Sequence, residues 1–311
     1  MPTFNPVPEH LREALTCIRN QTERDWHAVI HDDASTVDVR AIVAPFLADP
    51  RFTFIRSDRR RGIGGNWNAC LQHVKARIVQ FLFQDDLWEP AYLEKGLAIL
   101  EAHPEVGLVS IDHDYRTESG SANAAYYQEL NAFKHAHIPV GEHSGEDVLR
   151  LWLKHDLKPG LLGEPSFVMI RRYMVERAGT FLEDMPQSLD NEYWIRCLPT
   201  TRWYYLREPL GTFRVHAQGA SALNDLAGAG LTDRLRIYQI LLAELSKTHA
   251  LRKDTEQSAR RALSAMIRKY CTRRASGKKV TLTGGGKKTV MAFMMRHPLL
   301  TFGALMRKEM T

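Results

Sequence analysis

The chain has 311 residues, 44% of them hydrophobic, enough to build a sizeable core without disulfide or metal staples. Its four cysteines, Cys17, Cys70, Cys197 and Cys271, show no CxxC spacing, which argues against a disulfide framework or a cysteine zinc site and suits a reducing, cytoplasmic setting. The net charge of +6 is uneven: residues from Leu251 onward carry +12 and residues 1–250 carry −6, so an acidic body excludes a nucleic-acid partner while the basic tail suits an anionic membrane surface or a protein partner.

Leu11, Ala14, Leu15 and Ile18 recur at helical spacing and predict a helix over His10–Asn20. A strand over Trp26–Ile30 then runs into Asp32-Asp33, and a helix over Val39–Leu47 leads to a strand over Phe52–Arg56. The loop Ser57–Gly65 precedes a helix expected to open at Asn66. This βαβα alternation implies a parallel sheet. In the loop, Arg59, Arg60 and Arg61 stand beside Gly62, Gly64 and Gly65. Cations and free amides before a helix favour an anion, and a flexible turn with Asn66 as N-cap explains the same residues equally well. The spacing is neither that of a Walker A loop nor GxGxxG.

The next apolar run, Ile78–Phe83, reads as a buried strand that two carboxylates, Asp85 and Asp86, stop abruptly. Adjacent carboxylates repel unless a cation or several hydrogen-bond donors compensate. With oxygen ligands and little sulfur nearby, the fitting cation is Mg2+ or Mn2+. An Asx turn capping a helix near Pro90 is the alternative.

Met1-Pro2-Thr3-Phe4-Asn5, Leu11–Leu15, Asn20-Gln21-Thr22, Asp32–Thr36, Gly62–Asn68 and Gln84–Trp88, in this order and spacing, resemble family 2 glycosyltransferases of the GT-A fold over most of residues 1–90. The resemblance implies an α/β domain with a mixed, mainly parallel sheet and flanking helices over residues 1–217, followed by a helical, basic C-terminal region over 218–311. The sequence departs from the family at two places. It begins inside the family's first strand, which is therefore expected to be truncated, and Phe83 stands where the first acid of the family's Asp-x-Asp motif belongs.

Further on, a helix is expected over Tyr92–His103 and a strand over Val106–Ile111, with Asp112-His113-Asp114 as a strand-end turn. Ser119–His143 shows no clean period, and the spacing of His135, His137 and His143 matches no standard zinc site. Gly163–Arg172 resembles the family segment that enters the second half of the domain. Ser188–Arg196 resembles its acid-bearing helix start, with Asp190 at the position of the catalytic base and Leu189 in place of the usual preceding acid. A helix N-cap is the alternative role for Asp190. Pro209–His216 resembles the closing segment. Arg202-Trp203 lacks the glutamine of the processive synthase signature, Pro199 standing there instead, so a single transfer is expected.

By this resemblance the donor is a nucleotide sugar, most simply UDP-linked, and the acceptor a saccharide or lipid-linked hydroxyl. Asp33, with Thr3 and Phe4, falls at the nucleobase; Arg61 and Arg214 at the nucleotide or its phosphates; Asp85, Asp86 and His216 at the diphosphate and its cation; and Asp190 at the acceptor. The competing readings are a non-catalytic sugar-nucleotide-binding scaffold, motivated by Phe83 and Leu189, and a sugar nucleotidyltransferase.

Helical spacing returns over Leu231–Leu245 and Thr255–Tyr270. Gly284–Lys288 reads as a linker, and residues 290–310 are amphipathic and cationic, with Pro298 as a break. Peripheral membrane contact and packing onto the catalytic domain are the two expectations for that stretch.

Overall fold

A computed structural model describes residues 1–117, 124–185, 187–216, 229–246, 248–275, 284–299 and 301–302. Two compact units emerge, Met1–Gly145 with Leu162–Met185 and Leu189–Ala217, and Glu146–Leu161 with Pro186–Ser188 and Gln218–Thr311.

The first unit is α/β. Its opening sheet holds β1 (Pro2–Thr3), β2 (Ala28–Asp32) and β3 (Phe52–Arg56), all parallel, with α1 (Pro8–Arg19) and α2 (Val39–Val43) as crossovers. β1 is a two-residue ladder in which Pro2 pairs with His31 and Thr3 with Asp32. The Met1 ammonium extends it by donating to the Val29 carbonyl at 2.7 Å. Leu11, Ala14, Leu15 and Ile18 bury the inner face of α1, as their spacing predicts, in one core with Ile30, Val39, Ile42 and Phe52.

The helix expected at Asn66 starts four residues earlier, as α3 (Gly62–His73). Two features of the glycines explain the difference. Gly62 enters with φ +80°, a left-handed conformation that other residues adopt at a cost, and a Cβ on Gly64 would stand 2.7 Å from the Glu183 backbone. The glycines therefore let α3 approach a neighbouring segment closely. Asn66 lies inside the helix, buried, with its amide donating to the Thr3 carbonyl and its oxygen 2.7 Å from His31 Nδ1.

The strand expected over Ile78–Phe83 leaves its ladder early, giving β4 (Ile78–Gln80) and, beyond the acids, the short β5 (Leu87–Trp88). After α4 (Tyr92–Ala102) comes β6 (Val106–Ile111), buried at every position, then β7 (Asp114–Thr117). The polar stretch that shows no sequence period contains α5 (Ala124–His137), followed by β8 (Gly141–Ser144). The chain later returns with β9 (Val168–Arg171), α7 (Arg172–Ala178), α8 (Leu189–Cys197), β10 (Arg202–Leu206) and β11 (Gly211–Val215). One mixed sheet has the order β4-β9-β6-β10-β8 and another the order β5-β11-β7.

The second unit is helical. It contains most of α6 (Gly145–Lys154) and the helices Ala229–Glu244, Ala250–Ala275 and Gly284–Arg296. Arg261 joins two of its parts by donating to Asp156 at 2.7 Å and to the Leu153 carbonyl, and Tyr238 meets Ser258 at 2.7 Å. The stretch read as a linker, Gly284–Lys288, is the start of a helix, which ends at Arg296 before Pro298. Leu305 and Met306 of the amphipathic tail lie outside the described residues.

Candidate active site at the strand ends

Carboxylates end β2 and follow β4, and each has its own local reason to be there. Asp32 is fully buried and paired with Arg56 Nη1 at 2.6 Å, so it is a fold residue. Asp33 caps α3: one oxygen accepts from the Arg61 amide at 2.6 Å, the other from the Gly62 amide at 2.9 Å. A carboxylate there satisfies orphan amides and complements the helix dipole. The amides the loop was expected to offer an anion are thus already engaged by Asp33. The Arg61 side chain is exposed and donates through Nε to Ser57 Oγ at 3.0 Å.

The end of β1 meets the acid-bearing loop through a side chain. The Gln84 amide accepts from Phe4 N at 2.8 Å and donates to the Phe4 carbonyl at 3.3 Å, standing in for a backbone pair. Thr3 is buried with Oγ1 on the His31 carbonyl, and the guanidinium of Arg60 covers the Phe4 ring at 4.1 Å. Thr3, Phe4, Asp33 and Arg61 are thereby joined to one another and to the loop before Asp85.

Asp85 and Asp86 are held by β11 and by the segment before β9. Asp85 Oδ2 lies 2.9 Å from His216 Nε2, and the Asp85 carbonyl accepts from Arg214 Nε at 2.7 Å. Asp86 is completely buried, its carboxyl accepting from Ser166 Oγ at 2.6 Å and from the Arg214 amide at 3.3 Å. The Arg214 guanidinium also pairs with Glu13, so this arginine fastens α1 and β11 to the acidic loop. Burial first, and then the charge of Asp85, push the Asp86 carboxyl well above its ordinary value. A bound cation would reverse that penalty.

The donor set fits a hard divalent cation that shares its shell with a ligand. Asp85, Asp86 and His216 offer oxygen and imidazole donors, but among the described residues no three His, Cys, Asp or Glu side chains form a ready cage. Oxygens of a diphosphate and water would complete such a shell. Phe83, at the place of the family's first acid, supplies no oxygen and stacks on Trp67 with ring centroids 4.8 Å apart.

Asp190 lies in the first turn of α8 (Leu189–Cys197), one residue inside the helix, so it is not the N-cap. Its Oδ1 accepts from the Asn191 amide at 2.7 Å, and the residue is half-buried. One turn on, Trp194 donates from Nε1 to the Gly163 carbonyl at 3.0 Å. Gly163 is three residues from Ser166, the partner of Asp86, so the Gly163–Ser166 segment connects the helix of Asp190 with the acidic loop.

The sequence reading missed Ser166, whose hydroxyl accepts from Phe83 N while donating to Asp86, and the buried His31–Asn66 pair under β1. The available signal for Ser166 was a polar residue just before an apolar strand. Asp112, expected in a turn, is buried and paired with Lys134 at 2.7 Å and His135 at 2.7 Å. His137 bonds the Phe133 carbonyl and His143 the Pro139 carbonyl.

Comparison with known proteins places this geometry. Residues 1–145 match the family described as Glycosyl transferase family 2. A glycosyltransferase of Methanocaldococcus jannaschii is 24% identical over 200 residues, covering 64% of this chain and 63% of that protein. The Escherichia coli enzyme WfgD, a UDP-Glc:alpha-D-GlcNAc-diphosphoundecaprenol beta-1,3-glucosyltransferase, is 28% identical over 101 residues, covering 32% and 39%. The chain thus spans less than two thirds of the length of either relative. Among solved structures, Staphylococcus aureus TarS 1–349 in complex with UDP-GlcNAc has a TM-score of 0.64 at 14% identity, covering 94% of this chain and 78% of that one. The mannosyltransferase PcManGT of Pyrobaculum calidifontis, in complex with GDP-Man and Mn2+, has a TM-score of 0.58 at 18% identity, covering 98% and 84%. These likenesses establish the fold, and residues 1–145 match glycosyl transferase family 2.

Proposed function

We propose that the protein is an inverting glycosyltransferase that moves a sugar from a nucleoside-diphosphate donor, most simply a UDP-sugar, to a hydroxyl of a saccharide or lipid-linked acceptor in polysaccharide or glycoconjugate synthesis. The observation that carries this reading is the junction of Asp85, Asp86, His216, Arg214 and Ser166 in a family 2 domain. Asp85, Asp86 and His216 would hold Mg2+ or Mn2+, which neutralises charge on a departing diphosphate when bound. Thr3, Phe4 and Asp33 would line the nucleobase, and the exposed Arg61 would meet its phosphates. Arg214 acts from behind, keeping the acidic loop in shape. Asp190 takes the proton of the acceptor hydroxyl as that oxygen attacks the anomeric carbon opposite the diphosphate, whose bond to the sugar breaks with inversion.

The test is thermal stabilisation of the protein by UDP, GDP and other nucleoside diphosphates, each with Mn2+ or with EDTA. A ligand that binds only the folded state raises the midpoint. A metal-dependent rise with one diphosphate supports the reading and names the base; no rise with any of them would remove it. Phe83 packed on Trp67 favours a second reading, a protein that binds sugar nucleotides without turning them over. Metal-dependent binding with neither transfer nor hydrolysis of the donor would select it.

No helix among the described residues is long and apolar enough to cross a membrane. Peripheral contact is a separate part of the proposal. Met291, Met295, Leu299 and Phe302 recur at helical spacing and are 61–84% exposed, while Phe293 is fully buried. An apolar stripe facing water in a basic stretch fits an anionic membrane surface at a cytoplasmic face.

A further inference from the structure

One buried acid of the helical unit holds the backbone that leads into α8. Asp233 lies on the helix Ala229–Glu244 and is almost fully buried. Its Oδ2 accepts from the Gln187 amide at 2.8 Å and from the Ser188 amide at 3.1 Å. These are the two residues immediately before α8, whose second residue is Asp190. Helix electrostatics do not account for an acid at 233, which is the fifth residue of its helix and lies past the turn where the dipole favours negative charge. A carboxylate taken out of water costs free energy unless strong partners compensate, and two amides on one oxygen make charge-assisted bonds. The helix that bears it is itself fixed. Leu235, Tyr238, Leu241 and Leu242 are buried, and Arg252 donates to the carbonyls of Leu242 at 3.0 Å and Leu245 at 2.7 Å.

What those two bonds do follows from where Asp190 stands. The first amides of an α-helix have no partner within the helix, so its first turn is the part that frays. Asp190 is in that turn. The rest of α8 is fastened otherwise: Trp194 donates to the Gly163 carbonyl, and Arg196 pairs with Glu192 and donates to the carbonyls of Ala178 and Thr180. Those ties act from Glu192 onward, whereas Asp233 acts just ahead of Asp190. A general base must stay within hydrogen-bond reach of the hydroxyl it deprotonates, and a displacement of about 1 Å can cost about 10²-fold in rate. We propose that Asp233 is a positioning residue for catalysis, holding the start of α8 so that Asp190 keeps one place, an assignment that rests on the glycosyltransferase reading above. It makes the helical region a part of the catalytic apparatus as well as the bearer of the apolar stripe.

The experiment measures release of the diphosphate from UDP-glucose, UDP-N-acetylglucosamine and GDP-mannose with Mn2+, water serving as the acceptor, and follows the donor that the wild type hydrolyses fastest. In this reaction Asp190 takes the proton of the attacking water while the bond between the anomeric carbon and the diphosphate breaks. Asp233→Ala, Asp233→Asn, Asp190→Asn and the double variants are compared; Asp233→Asn keeps an oxygen for the two amides. Turnover is expected to fall about 10²-fold in Asp233→Ala and about three- to ten-fold in Asp233→Asn, with the dissociation constant of the diphosphate within about two-fold of wild type in both. In the Asp190→Asn background neither change should slow turnover by more than about two-fold, because Asp233 acts through Asp190. Should Asp233→Ala fail to fold, Asp233→Asn with and without Asp190→Asn carries the same comparison. Wild-type turnover in the Asp233 variants, loss of diphosphate affinity in step with turnover, or losses that multiply in the double variants would overturn the assignment. A wild type that binds a diphosphate but hydrolyses none of the donors would instead sink the glycosyltransferase reading, and the role of Asp233 with it.

Discussion

Ser166 Oγ donates to Asp86 Oδ2 at 2.6 Å while accepting from the Phe83 amide at 3.0 Å, so one hydroxyl fixes both the buried acid and the backbone leading to it. Removing it strands a carboxyl oxygen and an amide. Ser166→Ala is expected to lower unfolding free energy by roughly 1–3 kcal/mol in urea titration. It should also shrink the Mn2+-dependent thermal shift given by the nucleoside diphosphate, because Asp86 would no longer be held in one orientation. An unchanged shift would mean that Asp86 takes no part in holding the cation.

Asp190 sits in the first turn of α8, where an acid is favoured by the helix dipole whatever its chemistry. Binding and turnover separate the two roles. Asp190→Asn keeps the shape and an acceptor oxygen for the Asn191 amide but cannot take a proton. Transfer to the acceptor is expected to fall by about 10²–10⁴-fold with the diphosphate's dissociation constant unchanged. A variant that transfers at the wild-type rate is not compatible with Asp190 as the base.

Phe83 replaces an acid with a ring that packs on Trp67 and lies 6.5 Å from the ring of Phe81. Reinstating the acid is therefore not a gain of a ligand alone. Phe83→Asp is expected to cost about 2–4 kcal/mol, since it deletes a large aromatic contact and half-buries a charge. Phe83→Leu should cost less than half as much. Equal stabilities of the two variants in chemical denaturation would show that the ring contact carries little.

Periodicity made α1 legible because its apolar residues keep one face throughout, and β6 was legible as a short apolar run buried on both faces. It failed for α5, where Tyr127 and Leu130 are buried but the next inward position is Lys134, a cation at a core site. Likewise the apolar run Ile78–Phe83 announced burial, yet could not tell that its last amide would pair with Ser166, 83 residues away. The candidate site divides in the same way. Acids at strand ends stood out in the sequence, whereas what each acid touches depends on distant segments: Asp33 on the start of α3, Asp86 on Ser166 and the Arg214 amide. Family resemblance supplied roles for these residues that pattern alone could not.

Asp112 and Lys134 form a pair whose side chains are 5% and 2% exposed. Burial raises the Asp112 carboxyl, but Lys134 and His135 outweigh it and hold the group below its ordinary 3.8. A depressed carboxyl stabilises the fold above its unfolded value, and that contribution is lost as pH falls through the folded value. The protein should thus lose stability progressively below about pH 4. Asp112→Asn, which strands a buried ammonium, is expected to cost about 3–5 kcal/mol at pH 7 and to flatten this part of the acid titration. A variant with the same acid profile as the wild type would place the transition in other carboxylates.

The stripe of Met291, Met295, Leu299 and Phe302 can be removed without touching the buried Phe293, because all four side chains face outward. Replacing the four with serine should leave the unfolding midpoint within a few degrees of wild type. If the stripe lies on a membrane, flotation with liposomes containing phosphatidylserine will carry the wild type and leave most of the variant behind. Neutral liposomes, or 0.5 M salt, should reduce wild-type flotation too, since the exposed Arg296 lies within the stripe's span in a basic stretch of sequence and its pull is screened within a few ångströms at that ionic strength. Equal flotation of wild type and variant on anionic liposomes would remove the membrane contact and return the stripe to the role of a surface for another protein.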